Sequence, residues 1–215
     1  MSEAAFNGLP GPLPAGERLL WQGAPSWLGL ALRAFRVKAL SIYFSLMVLW
    51  VGAAALTGGA SVGEAARQML RVAPFAMGVL LLLSGIAWLT ARTTTYTITN
   101  RRVVIRYGIA LPMTLNLPFK MVASAAVRSF ADGTADVPLT LTDASRMSYL
   151  LLWPHARPWR MVRPQPAMRA VPEGVRVAQI LAEALAAAAG QPVAKVASAP
   201  QPSIGHQPIP TAAAA

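Results

Sequence analysis

The stretch MGVLLLLSGIAWLTARTTTYTITNRRVVIRYG, residues 77–108, contains a change of period that decides the fold. Up to Ala91 it is uncharged and dominated by Leu. After Arg92, Tyr96 and Ile98 alternate with Thr95, Thr97 and Thr99; Val103, Ile105 and Tyr107 then alternate with Arg102, Val104 and Arg106. An apolar run without polar interruption suits a helix in apolar surroundings, whereas period-two alternation suits a strand with one packed face. Asn100–Arg101 offers a turn between the two alternating segments, so they read as a β-hairpin. The chain passes from an apolar helix straight into a sheet.

Working back from that junction, VAPFAMGVLLLLSGIAWLTA (72–91) is 20 residues without a charge. A second such run, ALSIYFSLMVLWVGAAAL (39–56), lies inside an uncharged interval from Lys38 to Glu64. At about 1.5 Å per residue, each can cross roughly 30 Å of hydrocarbon. A helix satisfies its own backbone there. Two transmembrane helices are predicted; the competing reading is a pair of buried helices in a soluble protein. Trp50 and Trp88 fit membrane interfaces or packing between helices. Pro74 is placed in the first turn of the second helix, where its missing N–H costs little.

Arg33, Arg36 and Lys38 precede the first helix, and Arg92, Arg101, Arg102 and Arg106 follow the second. The intervening loop, about 57–71, holds only Arg67 and Arg71 with Glu64. The bias towards basic flanks puts both termini on the cytoplasmic side and the short loop in the periplasm. The first apolar run begins too late, after a Pro- and Gly-rich stretch, to read as a secretory signal. WLGLALRAFRVK (27–38) reads either as an amphipathic helix among lipid headgroups or as an extension of the first membrane helix.

Beyond the hairpin, alternating segments at 114–117, 122–130, 137–142 and 148–153 predict further short strands, punctuated by Asp132–Gly133 and Pro138. From Pro172 the period becomes helical: Val177, Ile180, Leu181, Ala184, Leu185 and Ala188 form one stripe opposite Arg176, Gln179 and Glu183. Gly190 and Pro192 end it. The predicted layout is a cytoplasmic N-terminal segment (1–38), a transmembrane hairpin (39–91), a cytoplasmic β domain (92–190) and a disordered tail (191–215). The β domain is a small barrel or sandwich closed by the amphipathic helix.

Strands closed by one helix, directly after a membrane hairpin, resemble a bacterial pleckstrin-homology (PH) domain; TYTITNRRVVIRYG and the upstream LPAGERLLWQGAPSW carry the likeness. With LLWPHARPWRMVRPQPAMR (151–169) added, the chain resembles the PuhB family of photosynthetic complex assembly proteins from purple phototrophic bacteria. The resemblance implies an inner-membrane, non-catalytic factor that helps to build the reaction centre and its core antenna. Their subunits are the implied partners. It brings no catalytic residues. The other reading of the same residues is a membrane-tethered lipid-binding or scaffolding protein unconnected with photosynthesis. Adjacency to reaction-centre or bacteriochlorophyll genes would separate the two.

Composition narrows the chemistry. Only 13% of residues are charged, against roughly 25% in ordinary soluble domains. Lys and Arg outnumber Asp and Glu by 19 to 8, a net charge of +11. Such an excess suits anionic lipid, where each base near the surface contributes about 1 kcal/mol; no nucleic-acid reader motif accompanies it. With no cysteine and only His155 and His206, thiolate chemistry is excluded and a zinc site disfavoured. No phosphate loop, G-x-S-x-G or H-E-x-x-H occurs, and Asp132, Asp136 and Asp143 read as solvated loop acids. The membrane runs contain no histidine to ligate a pigment magnesium, so no cofactor is expected. The candidate contact site is the segment holding Trp153, His155, Arg157, Trp159, Arg160 and Arg163, stiffened by Pro154 and Pro158. Trp and Arg are enriched at binding hot spots, although the same residues could merely cap the barrel. Arg101, Arg102 and Arg106 form a weaker basic patch.

Overall fold

The computed structural model describes residues 13–142, 148–157 and 164–190. The chain begins with β1 (Leu19–Gly23) and a short helix α1 (Trp27–Arg33), followed by two long helices, α2 (Val37–Thr57) and α3 (Val62–Thr93). Seven more strands follow: β2 (Thr95–Thr99), β3 (Arg102–Tyr107), β4 (Met113–Pro118), β5 (Val122–Ala125), β6 (Arg128–Ser129), β7 (Ala135–Leu141) and β8 (Ala167–Val171). A single helical turn, α4 (Tyr149–Leu152), precedes β8, and α5 (Gly174–Ala189) follows it.

Both α2 and α3 are long and apolar enough to cross a membrane, and both are mostly exposed in the chain. They are therefore not core helices of this domain. The predicted 57–71 loop shrinks to Gly58–Ser61, because α3 starts at Val62. Ser61 accepts the Glu64 N–H while the Glu64 carboxylate accepts the Ser61 N–H, a reciprocal cap that satisfies two orphan donors. Pro74 consequently lies inside α3, not in its first turn. The 27–38 segment is not one extension of α2 either: Arg36 adopts φ 56°, which ends α1 and starts α2 in a new direction.

The predicted hairpin is present as β2–β3, paired Thr95–Arg106 to Ile98–Val103. β4 continues the antiparallel meander, and β1 pairs with β2 from across the whole helical hairpin, with Gln22 opposite Thr97. The N-terminal segment thus supplies an edge strand to the domain predicted to begin at 92. In the second sheet, β5 and β6 follow one another along one edge of β7, replacing the single predicted strand at 122–130, and β8 pairs with the other edge. The 148–153 segment is not a strand; its centre is α4.

The strands do not close into a barrel. Two sheets share one core, with Tyr96, Ile98, Val103 and Ile105 from the first and Val137, Leu139, Met168 and Val171 from the second. α5 completes it through Val177, Ala178, Leu181 and Ala184, while Ala188 at the end of the predicted stripe is exposed. Gly190, at φ 65°, ends α5 as its C-cap, where an L side chain would be strained.

Candidate functional site

The helices meet the sheets around α1. Ser26 caps α1, its Oγ accepting the Gly29 N–H, and the Ser26 N–H donates to the Ala170 carbonyl of β8. Gly29 is buried against β8, where a β-carbon would overlap that of Ala170. Leu30 packs with Ala91 and Ala170, and Ala31 and Phe35 pack with Ala87, so α1 is wedged between the end of α3 and β8. Arg33 reaches out of this wedge to Asp132 at 3.2 Å and lies over the Phe130 ring at 3.9 Å. A Thr134 hydroxyl also accepts from it. Thr134 and the Arg33 guanidinium hold the Asp132 carboxyl below its ordinary range.

The predicted contact segment begins beside this junction. Trp153 is 46% exposed and meets Phe35 edge-to-face, with the ring centroids 5.1 Å apart. His155 is only 1% exposed and cannot be a surface contact. Its Nδ1 lies 2.9 Å from the Tyr96 hydroxyl and its Nε2 lies 3.2 Å from that of Thr94. The Tyr96 oxygen also accepts the Arg169 N–H, and its hydroxyl faces the Arg169 carbonyl at 3.4 Å, so phenol, imidazole and the β8 backbone form one buried hydrogen-bonded cluster. Burial, with the nearby Arg169 charge, pushes the His155 pKa down to about 3, so the ring is neutral under physiological conditions. His155 fastens the end of α3 to the sheet. Arg157 is braced as well, donating to the Gln165 side chain at 3.0 Å. Trp159, Arg160 and Arg163 lie outside the described residues, as does Asp143.

The basic hairpin patch divides. Arg101 and Arg106 are exposed, but Arg102 donates through Nε and Nη2 to both oxygens of Glu17, at 2.7 and 2.8 Å. Burial raises the Glu17 pKa, but donors from Arg102 and Thr99 outweigh it and hold the carboxyl below its ordinary value. Asp136 is also not a solvated loop acid. It forms an ion pair with buried Arg169 at 3.2 Å and accepts the Ala170 N–H. Sequence reasoning missed both pairs because their partners lie 85 and 33 positions apart (17 with 102, and 136 with 169). Among the described residues, no three His, Asp or Glu side chains cluster as a metal site would require.

A bacterial PH domain family profile matches residues 32–185, most of the chain, so this protein belongs to the bacterial PH domain family. Over 198 residues, covering 90% of each chain, it is 38% identical to a Rhodobacter capsulatus protein described as an uncharacterized 23.7 kDa protein in the puhA 5′ region. A solved protein with a pleckstrin-homology domain from Shewanella loihica aligns at 12% identity over 44% of this chain and 68% of that one, with a TM-score of 0.28. That overlap is too poor to carry an argument.

Proposed function

We propose that this protein is a membrane-anchored, non-catalytic assembly factor for the photosynthetic reaction centre and its core antenna, as in the PuhB family. The carrying observation is the full-length relative encoded in the puhA region, a photosynthesis gene neighbourhood. In this reading α2 and α3 cross the bacterial inner membrane, and the PH-like domain stands on the cytoplasmic face with both termini. Two features support the crossing. Large apolar side chains such as Trp50 and Phe75 point outward with 72% and 78% exposure, a costly arrangement in water. β1 and β2 are hydrogen-bonded to one another, so the chain between them crosses an even number of times or not at all. The mechanism is docking: the helices offer packing to nascent membrane subunits, and the β domain meets their cytoplasmic faces beside anionic lipid. Trp159, Arg160 and Arg163 are the proposed protein contacts.

Deleting the gene in its own host should lower reaction-centre absorbance while leaving respiratory growth intact. Undiminished reaction-centre levels would favour the second reading, a membrane-tethered PH-like scaffold or lipid-binding protein, which family membership alone equally supports.

A further inference from the structure

The β3–β4 connection breaks the usual rule that turns are polar. Its central residues are Ile109, Ala110, Leu111 and Pro112, with Ile109 49% and Leu111 79% exposed. This is a shaped tip. Gly108 turns at φ 116°, and a β-carbon there would overlap the Leu111 carbonyl oxygen, so the backbone folds back on itself and projects the Leu111 side chain outward.

Register decides where the tip points. β2 leaves α3 at Thr95, which pairs with Arg106, so β3 returns towards the end of α3. Tyr107 lies 5.2 Å from the His155 ring, which is itself bonded to Thr94, the C-cap of α3. The tip therefore continues from the end of the sheet that receives α3. The opposite end carries the Asn100–Arg101 turn. Three further features gather at the α3 end. α1 exposes Trp27, Leu28 and Leu32 on the side away from its buried face. Arg92 lies over the Trp88 ring at 4.6 Å in the last turns of α3. Arg106 is exposed just before the tip. Apolar side chains rimmed by arginines are the composition that enters a headgroup layer.

We infer that the β3–β4 tip inserts Ile109 and Leu111 into the same bilayer face from which α3 emerges, and that α1 lies in that face beside it. The occupant is anionic lipid, with Arg92 and Arg106 at headgroup level. The inference rests on the reading that α2 and α3 span the membrane. It adds that the β domain lies against the surface at a fixed tilt, held at two further points.

The cysteine-free chain allows a direct test. Full-length Leu111→Cys, Ile109→Cys, Leu81→Cys and Arg101→Cys variants are each labelled with nitrobenzoxadiazole and reconstituted into phosphatidylcholine–phosphatidylglycerol vesicles. Iodide is supplied on both sides of the membrane. The labels at 109 and 111 should be several-fold brighter than that at 101, quenched by headgroup-proximal nitroxide lipid and shielded from iodide. The label at 81 should respond only to nitroxides carried deep in the acyl chains. If 81 is lipid-embedded while 109 and 111 are as wet as 101, the inference is overturned and the tip becomes a surface for a protein partner. If 81 is also wet, the membrane-spanning reading fails first and takes the inference with it.

Discussion

Helices α2 and α5 are both rich in Ala, Leu and Val, yet they solve different problems. In α5 the apolar residues lie along one stripe, and Val177, Leu181 and Ala184 are buried while Arg176 and Glu183 face solvent. In α2 the apolar residues surround the axis and only Gly52 is buried; Leu46 remains 62% exposed. Arrangement, more than composition, tells which medium each helix was built for. A stripe needs one partner surface, whereas all-round apolarity needs an apolar surrounding on every side.

The largest effect should come from the same substitution placed in both helices. Leu181→Asp buries an unpaired carboxylate at the centre of the shared core and should cost more than about 4 kcal/mol, abolishing the cooperative melt of the β domain. Leu46→Asp should leave that melt unchanged and instead oppose membrane insertion by about 2.5–3.5 kcal/mol, seen as loss from the membrane fraction. A melt equally damaged by both changes would mean that α2 belongs to the domain core after all. Both melts must be measured on the full chain in detergent, because residue 46 lies in α2 and β1 completes the first sheet.

A smaller effect is expected where polarity has been admitted to the core. Arg169→Met leaves Asp136 charged and partly buried without its partner, at a cost of about 3–5 kcal/mol. Adding Asp136→Leu should recover much of that loss, since neither charge then remains to be desolvated. Chemical denaturation of the wild type, the two single variants and the double variant measures the coupling; an unrecovered double variant would show that the Asp136 bond to the Ala170 N–H, rather than the ion pair, is the important one.

The smallest effect concerns the sheet edge. Glu17→Gln should cost about 1.5–3 kcal/mol at neutral pH, the usual worth of hydrogen bonds to a charged group. Its sign with pH is set by the lowered native pKa: the stabilisation is complete above the ordinary value of 4.5 and is lost as pH falls through the native value. The gap between wild type and Glu17→Gln should therefore narrow below pH 4.5. A constant gap in acid would assign the effect to packing, not charge.

What could be read from the sequence was local. The β2–β3 alternation, the two apolar runs and the α5 stripe each repeat within a few residues. β1 could not be read, because LLWQG lacks alternation and finds its partner only across the helical hairpin. β8 was hidden by Arg169, which looks polar until Asp136 on β7 neutralises it. The early start of α3 was legible in Ser61 and Glu64 but was outweighed by the charges at Arg67 and Arg71. His155 resembled a contact because of its Trp and Arg neighbours; only the fold supplies the hydroxyls that hold it inside.

The pairing of β1 with β2 also sets a timetable for biosynthesis. About seventy residues separate the two strands, and at about 5–20 residues per second the ribosome needs on the order of ten seconds to deliver the second after the first. During that interval β1 is a strand edge without a neighbour, open to any chain that offers one. The sheet can form only after both long helices have been synthesised and β2 has been brought back beside β1. In the proposed membrane-spanning arrangement, completion of the first sheet is thus a built-in record that the helical hairpin was threaded correctly, and a nascent chain stalled halfway would display the unfinished edge to chaperones and proteases.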